Sequence, residues 1–303
     1  MTGAALRPRT TSEIVDAGFQ LTRENFTPMA MMSALVAIPA LVVALVNAHI
    51  APPGGETPAA IGQRLLLMSP LLLLSSCWFF VVVGALVHSS SEAYHGRAVE
   101  PGPALRAAFS RAPSLIGGNL LAYLLMFAMF VAGMVVSMVA LIIVGLVIFL
   151  PLSGKGAAGA ARSVLIALST IGIVLGGAAG MLVGAARYVN VTAAVILERR
   201  SAISSLTRSA SLSLGHRKSI VALLALGVAI FLVIGVGAAL FAQSLLQNPV
   251  LVNAISSLVT IVLYPLLANI LTVLYYDLRI RKEGYDIEEL SRRLGADTAP
   301  AVP

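Results

Sequence analysis

Residues Leu115 to Leu150 read LIGGNLLAYLLMFAMFVAGMVVSMVALIIVGLVIFL, a run without Asp, Glu, Lys, Arg or His. A helix that crosses a bilayer needs about 20 apolar residues at a rise of ~1.5 Å each, so this run alone places the chain in lipid. Five further stretches are long and nearly uncharged: Phe26 to His49, Leu65 to His88, Ser163 to Leu197, Ile220 to Leu246 and Leu251 to Tyr276. The reading is an all-α, polytopic membrane helical bundle of about six transmembrane helices. With 58% hydrophobic residues, 11% charged and a mean hydropathy of +0.95, polar surface is too scarce for a water-soluble globule. Residues 1–285 are read as a single transmembrane domain, and 286–303 as a short, partly disordered cytoplasmic tail.

Of the 20 Lys and Arg residues, sixteen fall in alternate gaps between the stretches. Arg7, Arg9 and Arg23 precede the first. Arg97, Arg106 and Arg111 lie in the second connector, and Arg199, Arg200, Arg208, Arg217 and Lys218 in the fourth. Arg279, Arg281, Lys282, Arg292 and Arg293 close the chain, whereas Arg64, Lys155 and Arg162 fall on the other side. The positive-inside rule then puts both termini in the cytoplasm. The net charge of +7 is spread beside spans rather than gathered in one patch, which points to anionic headgroups and away from nucleic acid. Other membrane proteins are possible partners. The single cysteine, Cys77, excludes an intramolecular disulfide. The polar N-terminus reaches its first apolar run only near Phe26, unlike a cleavable leader, so the first span is expected to stay.

Three connectors on the basic side carry short segments of helical period. Thr10 and Glu13 have capping-box spacing, followed by Ile14, Gly18 and Leu21 along one face. Pro101-Gly102-Pro103 precedes Leu105, Ala108, Phe109 and Ala112. In the third segment Ile203, Leu206, Ala210 and Leu214 share one side, with Arg208 and several serines opposite. All three are read as amphipathic helices lying in the cytoplasmic interface. Each precedes a hairpin of spans, near 10–88, 101–197 and 199–278, so the expectation is a threefold repeat of in-plane helix plus helical hairpin.

Within the spans, Gly172, Gly176, Gly180 and Gly184 recur every four residues and form a groove on one helix face. Gly227 and Gly235, interrupted by Phe231, form a similar line in the fifth span. The expectation is that these two neighbouring spans pack together, with dimerisation as the alternative. Arg187 is read as snorkelling at the interface with Tyr188 and Asn190 beside it; the functional reading of Arg187 and Asn190 is a lipid or anion contact. Pro39 and Pro265 are expected to kink their helices, with Asn269 one turn after Pro265 serving freed backbone groups or a neighbouring helix. His49, His88, His95 and His216 have no metal-ligand spacing, and no phosphate loop, nucleophile elbow or His-Glu-x-x-His is present. No catalytic, metal or cofactor-binding residue is assigned.

The closing segment, Leu274-Tyr-Tyr-Asp-Leu-Arg-Ile-Arg-Lys-Glu-Gly-Tyr-Asp-Ile-Glu-Glu289, is read as a cytoplasmic anchor. Tyr275 and Tyr276 suit the headgroup level, and Asp277, Arg279, Arg281 and Lys282 follow. It resembles the closing motif of a bacterial membrane-protein family named for the membrane domain of glycerophosphoryl diester phosphodiesterase. Leu6 to Ile14, Asn25-Phe26, and Val195 to Arg199 followed by Leu206 to Ser213 resemble the family's start and centre, although an aromatic is missing around Ser209 to Ser211. The resemblance implies the bacterial inner membrane and about six spans. The catalytic barrel in that name needs roughly 250 residues and metal ligands, for which this chain has no room.

The leading functional reading is a non-enzymatic membrane scaffold or interaction module that contacts lipids or partner proteins. A transporter or lipid-handling permease is the alternative, suggested by hairpins and kinked spans. A membrane-embedded enzyme comes last, because His, Asp and Glu are dispersed.

Overall fold

In hydrocarbon every backbone N–H and C=O must be bonded within its own segment, so uncharged runs of this length fold as helices. The computed structural model of the chain describes residues 7–50, 57–149, 158–246 and 248–287. Residues 1–6, the connector stretches 51–56 and 150–157, Gln247 and the tail beyond Ile287 lie outside the described residues.

The elements run α1 (Thr11–Glu24), α2 (Phe26–Ile50), α3 (Pro58–Tyr94), α4 (Pro101–Ser110), α5 (Ala112–Phe149) and α6 (Ala158–Tyr188). Then follow α7 (Val191–Leu197), α8 (Ala202–Ser213), α9 (Arg217–Ile230), a π-helical turn (Phe231–Val236), α10 (Gly237–Leu245) and α11 (Pro249–Glu283). Six helical segments are long and apolar enough to cross a membrane: Phe26–Ile50, Ala59–Tyr94, Ala112–Val144, Leu168–Leu197, Arg217–Leu245 and Ala254–Glu283. The chain is thus an all-α, multi-pass membrane protein.

Two spans are not continuous α-helices. The fourth breaks after Tyr188, because Asn190 leaves the helical path and gives its backbone N–H to Ser209 Oγ at 3.1 Å. The fifth is interrupted by the π turn, beginning at the Phe231 that breaks its small-residue line. Pro39 and Pro265 do not interrupt their helices, nor does Pro70 in α3. A proline frees the carbonyl four residues earlier. For Pro39 that is Leu35, whose oxygen accepts the Trp78 indole N–H at 2.8 Å; for Pro70 it is Leu66, which accepts the Ser69 hydroxyl at 2.8 Å.

Helix α11 is the hub, touching α1, α2, α3, α8 and α10. The core joins Ile14 and Leu21 of α1, Met29 and Met32 of α2, Val82 and Leu86 of α3, and Val273 and Leu278 of α11. At Gly18 a Cβ would stand 2.4 Å from Ile270 Cγ1 and 3.1 Å from its backbone, so α1 lies directly on α11. Asn269, fully buried, serves a neighbouring element and not the carbonyl freed by Pro265: its Nδ2 donates to Thr22 Oγ1 at 2.8 Å.

The glycine line of α6 faces α5, not the fifth span. A Cβ on Gly180 would lie 2.2 Å from the Met129 carbonyl oxygen, and one on Gly176 would lie 1.7 Å from Ser137 Oγ. Gly172 faces Leu141 and Gly184 faces Met126, while Gly133 of α5 meets the Gly176 carbonyl. The α5–α6 connection is short enough to make these helices antiparallel neighbours, which decides the pairing. Gly227 touches Leu267 of α11, and Gly235 meets only the ring of Phe231 on its own helix.

Candidate functional site at the basic end of the bundle

The last three turns of α11 bring the closing segment against α1, α3, α8 and the turn after α7. The Tyr275 hydroxyl donates to Glu198 Oε1 at 2.6 Å, and Arg208 Nε reaches the same carboxylate at 2.8 Å. Arg208 continues to Glu283, which also pairs with Arg279 at 3.1 Å. Asp277, buried, accepts the Arg9 backbone N–H at 2.6 Å and Arg281 Nε at 2.7 Å; Arg281 in turn donates to the Arg9 carbonyl at 2.6 Å. Lys282 donates to the Ser211 carbonyl. The Tyr276 hydroxyl shares a hydrogen bond of 2.6 Å with Ser91 Oγ, and its ring stacks on Tyr94 at 4.6 Å.

These contacts change the role of the segment. Tyr275 and Tyr276 are 0% and 4% exposed, so their rings pack inside the bundle. Their hydroxyls sit in the molecule because Glu198 and Ser91 satisfy them, and the segment is a clasp between elements. Glu198, Arg208, Glu283 and Arg9 complete it. None of the four stood out in the sequence, where basic residues beside spans all read as topology signals. Burial raises the Glu198 carboxyl, but bonds from Arg208 and Tyr275 outweigh it and hold the group below the ordinary range. The bond to Glu283 raises Arg208 against the opposing effect of burial, so the guanidinium stays charged. At the start of α1, the Thr10 backbone bond and then Arg7 lower Glu13 from 4.5 to about 2, through the capping box that the spacing predicts.

Helix α8 turns its serine face inward. Ser205, Ser209 and Ser213 are fully buried, while Ile203 and Leu214 are 71% and 57% exposed. Small hydroxyls permit close approach and bond locally: Ser209 Oγ donates to the Arg187 carbonyl at 2.9 Å, and Ser213 Oγ donates to the Ser209 carbonyl at 2.9 Å. Ile203 and Leu214 are left facing outward, while Leu206 is half-buried and Leu212 is buried. Phe19 of α1 and Phe109 of α4 also face outward, beside exposed Arg23, Arg106 and Lys218, which lie outside the ion-pair clasp.

Arg187 and Asn190 part company. Half-buried Arg187 ends α6 with its guanidinium 5.7 Å from the Tyr188 ring, whereas Asn190 is 1% exposed and turned into an internal cavity. Between the starts of α1 and α9 and the end of α11 lies a recess of about 230 Å³, lined by Arg9, Thr10, His216, Ser219, Asp277 and Arg281 among others. Among the described residues no three His, Cys, Asp or Glu side chains gather in a way that could hold a metal ion. No known protein family, curated protein or solved structure matches the chain.

Proposed function

We propose that the chain is a non-enzymatic module of the bacterial inner membrane, a scaffold whose basic end faces the cytoplasm and contacts anionic lipid headgroups or partner proteins. The observation that carries this is the outward face of the short helices. Ile203, Leu214, Phe109 and Phe19 stand exposed beside Arg23, Arg106 and Lys218, an arrangement suited to lying in a headgroup layer with apolar side chains dipping into lipid. The order of short helix then long hairpin recurs at α1–α3, α4–α6 and α8–α11, which supports a repeated unit with α1, α4 and α8 on one side. The resemblance of the opening, central and closing segments to the phosphodiesterase-associated membrane family supports the same placement and brings no hydrolysis with it.

The test is affinity capture of the full chain in mild detergent with analysis of co-purifying lipid and protein. Anionic phospholipid should be enriched over its share of the source membrane, and the combined Arg23→Gln, Arg106→Gln and Lys218→Gln variant should lose that enrichment. Recovery of lipid at bulk composition with no reproducible partner overturns the reading. A second reading, a lipid-handling permease, is favoured by one observation, the internal cavity that Asn190 enters. Vesicle assays of lipid movement with and without the protein test it.

A further inference from the structure

The internal cavity has a volume of about 290 Å³ and lies where α3, α5, α6, α7, α9 and α11 meet. Its polar lining is gathered toward the basic end, in Asn119, Asn190, Thr192 and Thr272, and its deeper wall is formed by Phe79, Tyr123, Met126 and Tyr264 among others. Along α5, which starts at Ala112, Asn119 lies about 10 Å of helix rise from that end and Met126 about 21 Å. Tyr123 is half exposed, so the cavity opens toward the lipid-facing surface beside it.

Two of the polar groups are served. Thr192 Oγ1 donates to Asn119 Oδ1 at 3.0 Å, and Asn119 Nδ2 donates to the Leu115 carbonyl at 2.9 Å. The other two are not. Asn190 and Thr272 are each 1% exposed, and neither the Asn190 carboxamide nor the Thr272 hydroxyl has a hydrogen-bond partner among the described residues. Native interiors rarely leave such groups unserved, because desolvating them without a partner is costly. A buried water could serve the polar end but would leave the apolar and aromatic part empty. Among the described residues no charged side chain lines the cavity, so an ionised head would be desolvated there without a counter-charge.

We infer that this cavity binds a neutral, hydroxyl-bearing lipid of the acylglycerol class, its head serving Asn190 and Thr272 and its chain running past Tyr123, Met126 and Tyr264 toward the bilayer centre. The pairing of an unserved amide and hydroxyl with an uncharged greasy wall selects that chemistry over a phospholipid head. The inference goes beyond the basic-end reading, since the cavity shares no lining residue with the Arg9 recess, and it holds whether or not the lipid is moved across the membrane.

The test uses the full chain in detergent with a diazirine-bearing monoacylglycerol, illumination, and peptide mapping by mass spectrometry. Labelling should saturate, concentrate on residues 79–87, 119–126 and 264–272, and be displaced by unlabelled monoacylglycerol but not by an ionised fatty acid. Asn190→Leu should weaken displacement about tenfold, the effect of one to two lost hydrogen bonds. Thr272→Val, which conserves shape, should do the same and serves if the first variant does not fold. Labels scattered over exposed α5 residues outside those segments, such as Phe127 and Val136, equal displacement by fatty acid, or an unchanged Thr272→Val each overturn the inference. The Arg23, Arg106 and Lys218 variant should label normally, so this inference and the basic-end reading fail separately.

Discussion

The α5–α6 hairpin and the knot of α1, α2, α3 and α11 use similar apolar residues but are held together by different means. In the hairpin, glycines bring two backbones into contact, and 0% of the most apolar window of α5 is buried; in α11 that share is 50%, and the knot adds polar ties such as Asn269 to Thr22 and Trp78 to Leu35. Lipid is as apolar as leucine, so burial alone drives neither association. Close backbone approach serves where the outer faces stay in lipid, and specific hydrogen bonds serve where many elements converge.

The sharpest way to break this contrast is Gly180→Leu. Its Cβ would meet the Met129 carbonyl at 2.2 Å, and backbone cannot yield as a flexible side chain does. The expected loss is about 3 kcal/mol, read as a lower melting temperature in detergent. Hydrogen exchange should rise in α5 and α6 before α1 and α11; an unchanged melt would show that the groove is not packed. Next is Asp277→Asn, which weakens the tie between Arg281 and the Arg9 backbone. It should cost about 2 kcal/mol and raise exchange over residues 9–21 while leaving the hairpin unaffected. Trp78→Phe leaves the Leu35 carbonyl unserved at about 1 kcal/mol, seen as faster exchange in the first turns of α2 relative to α6.

Acid should separate the regions more gently. Glu13 and Glu198 are held below their ordinary values in the folded chain, so the stability they contribute is complete above the unfolded value and is lost as pH falls through the folded one. For Glu13 that window runs from 4.5 down to about 2. Exchange in α1 and α8 should therefore rise below about pH 4.5, with α5 unchanged, since its described residues carry no carboxylate. Smallest is Gly235→Ala, where a new methyl meets only the Phe231 ring at 3.8 Å. It should shift stability by about 0.5 kcal/mol, in the favourable direction of helix propensity.

The spans were legible because their signal is composition, which survives any packing. Their extents were less so: α3 begins at Pro58 and α11 runs to Glu283, since Arg64 finds Asn47, and Asp277 and Glu283 find the Arg9 backbone and Arg208, partners that only tertiary structure supplies. Periodicity showed two faces on α8 but not which one turns inward. In lipid the rule of apolar residues inside loses its force, and the serine face went in. The glycine line was visible, yet its partner depended on Gly133 and Ser137, which give no pattern of their own. Asn190 stood out as a polar residue near a span end, whereas Thr272 did not, and their meeting on one cavity wall comes from α6 breaking where it does.

The chain has one tryptophan, and its indole occupies the gap opened by Pro39 with Phe109 at 5.9 Å from its ring. Ultraviolet emission from the whole protein is therefore a gauge of a single joint. A spectral change on adding lipid or a partner would report that α2, α3 and α4 had shifted against one another, with no label attached.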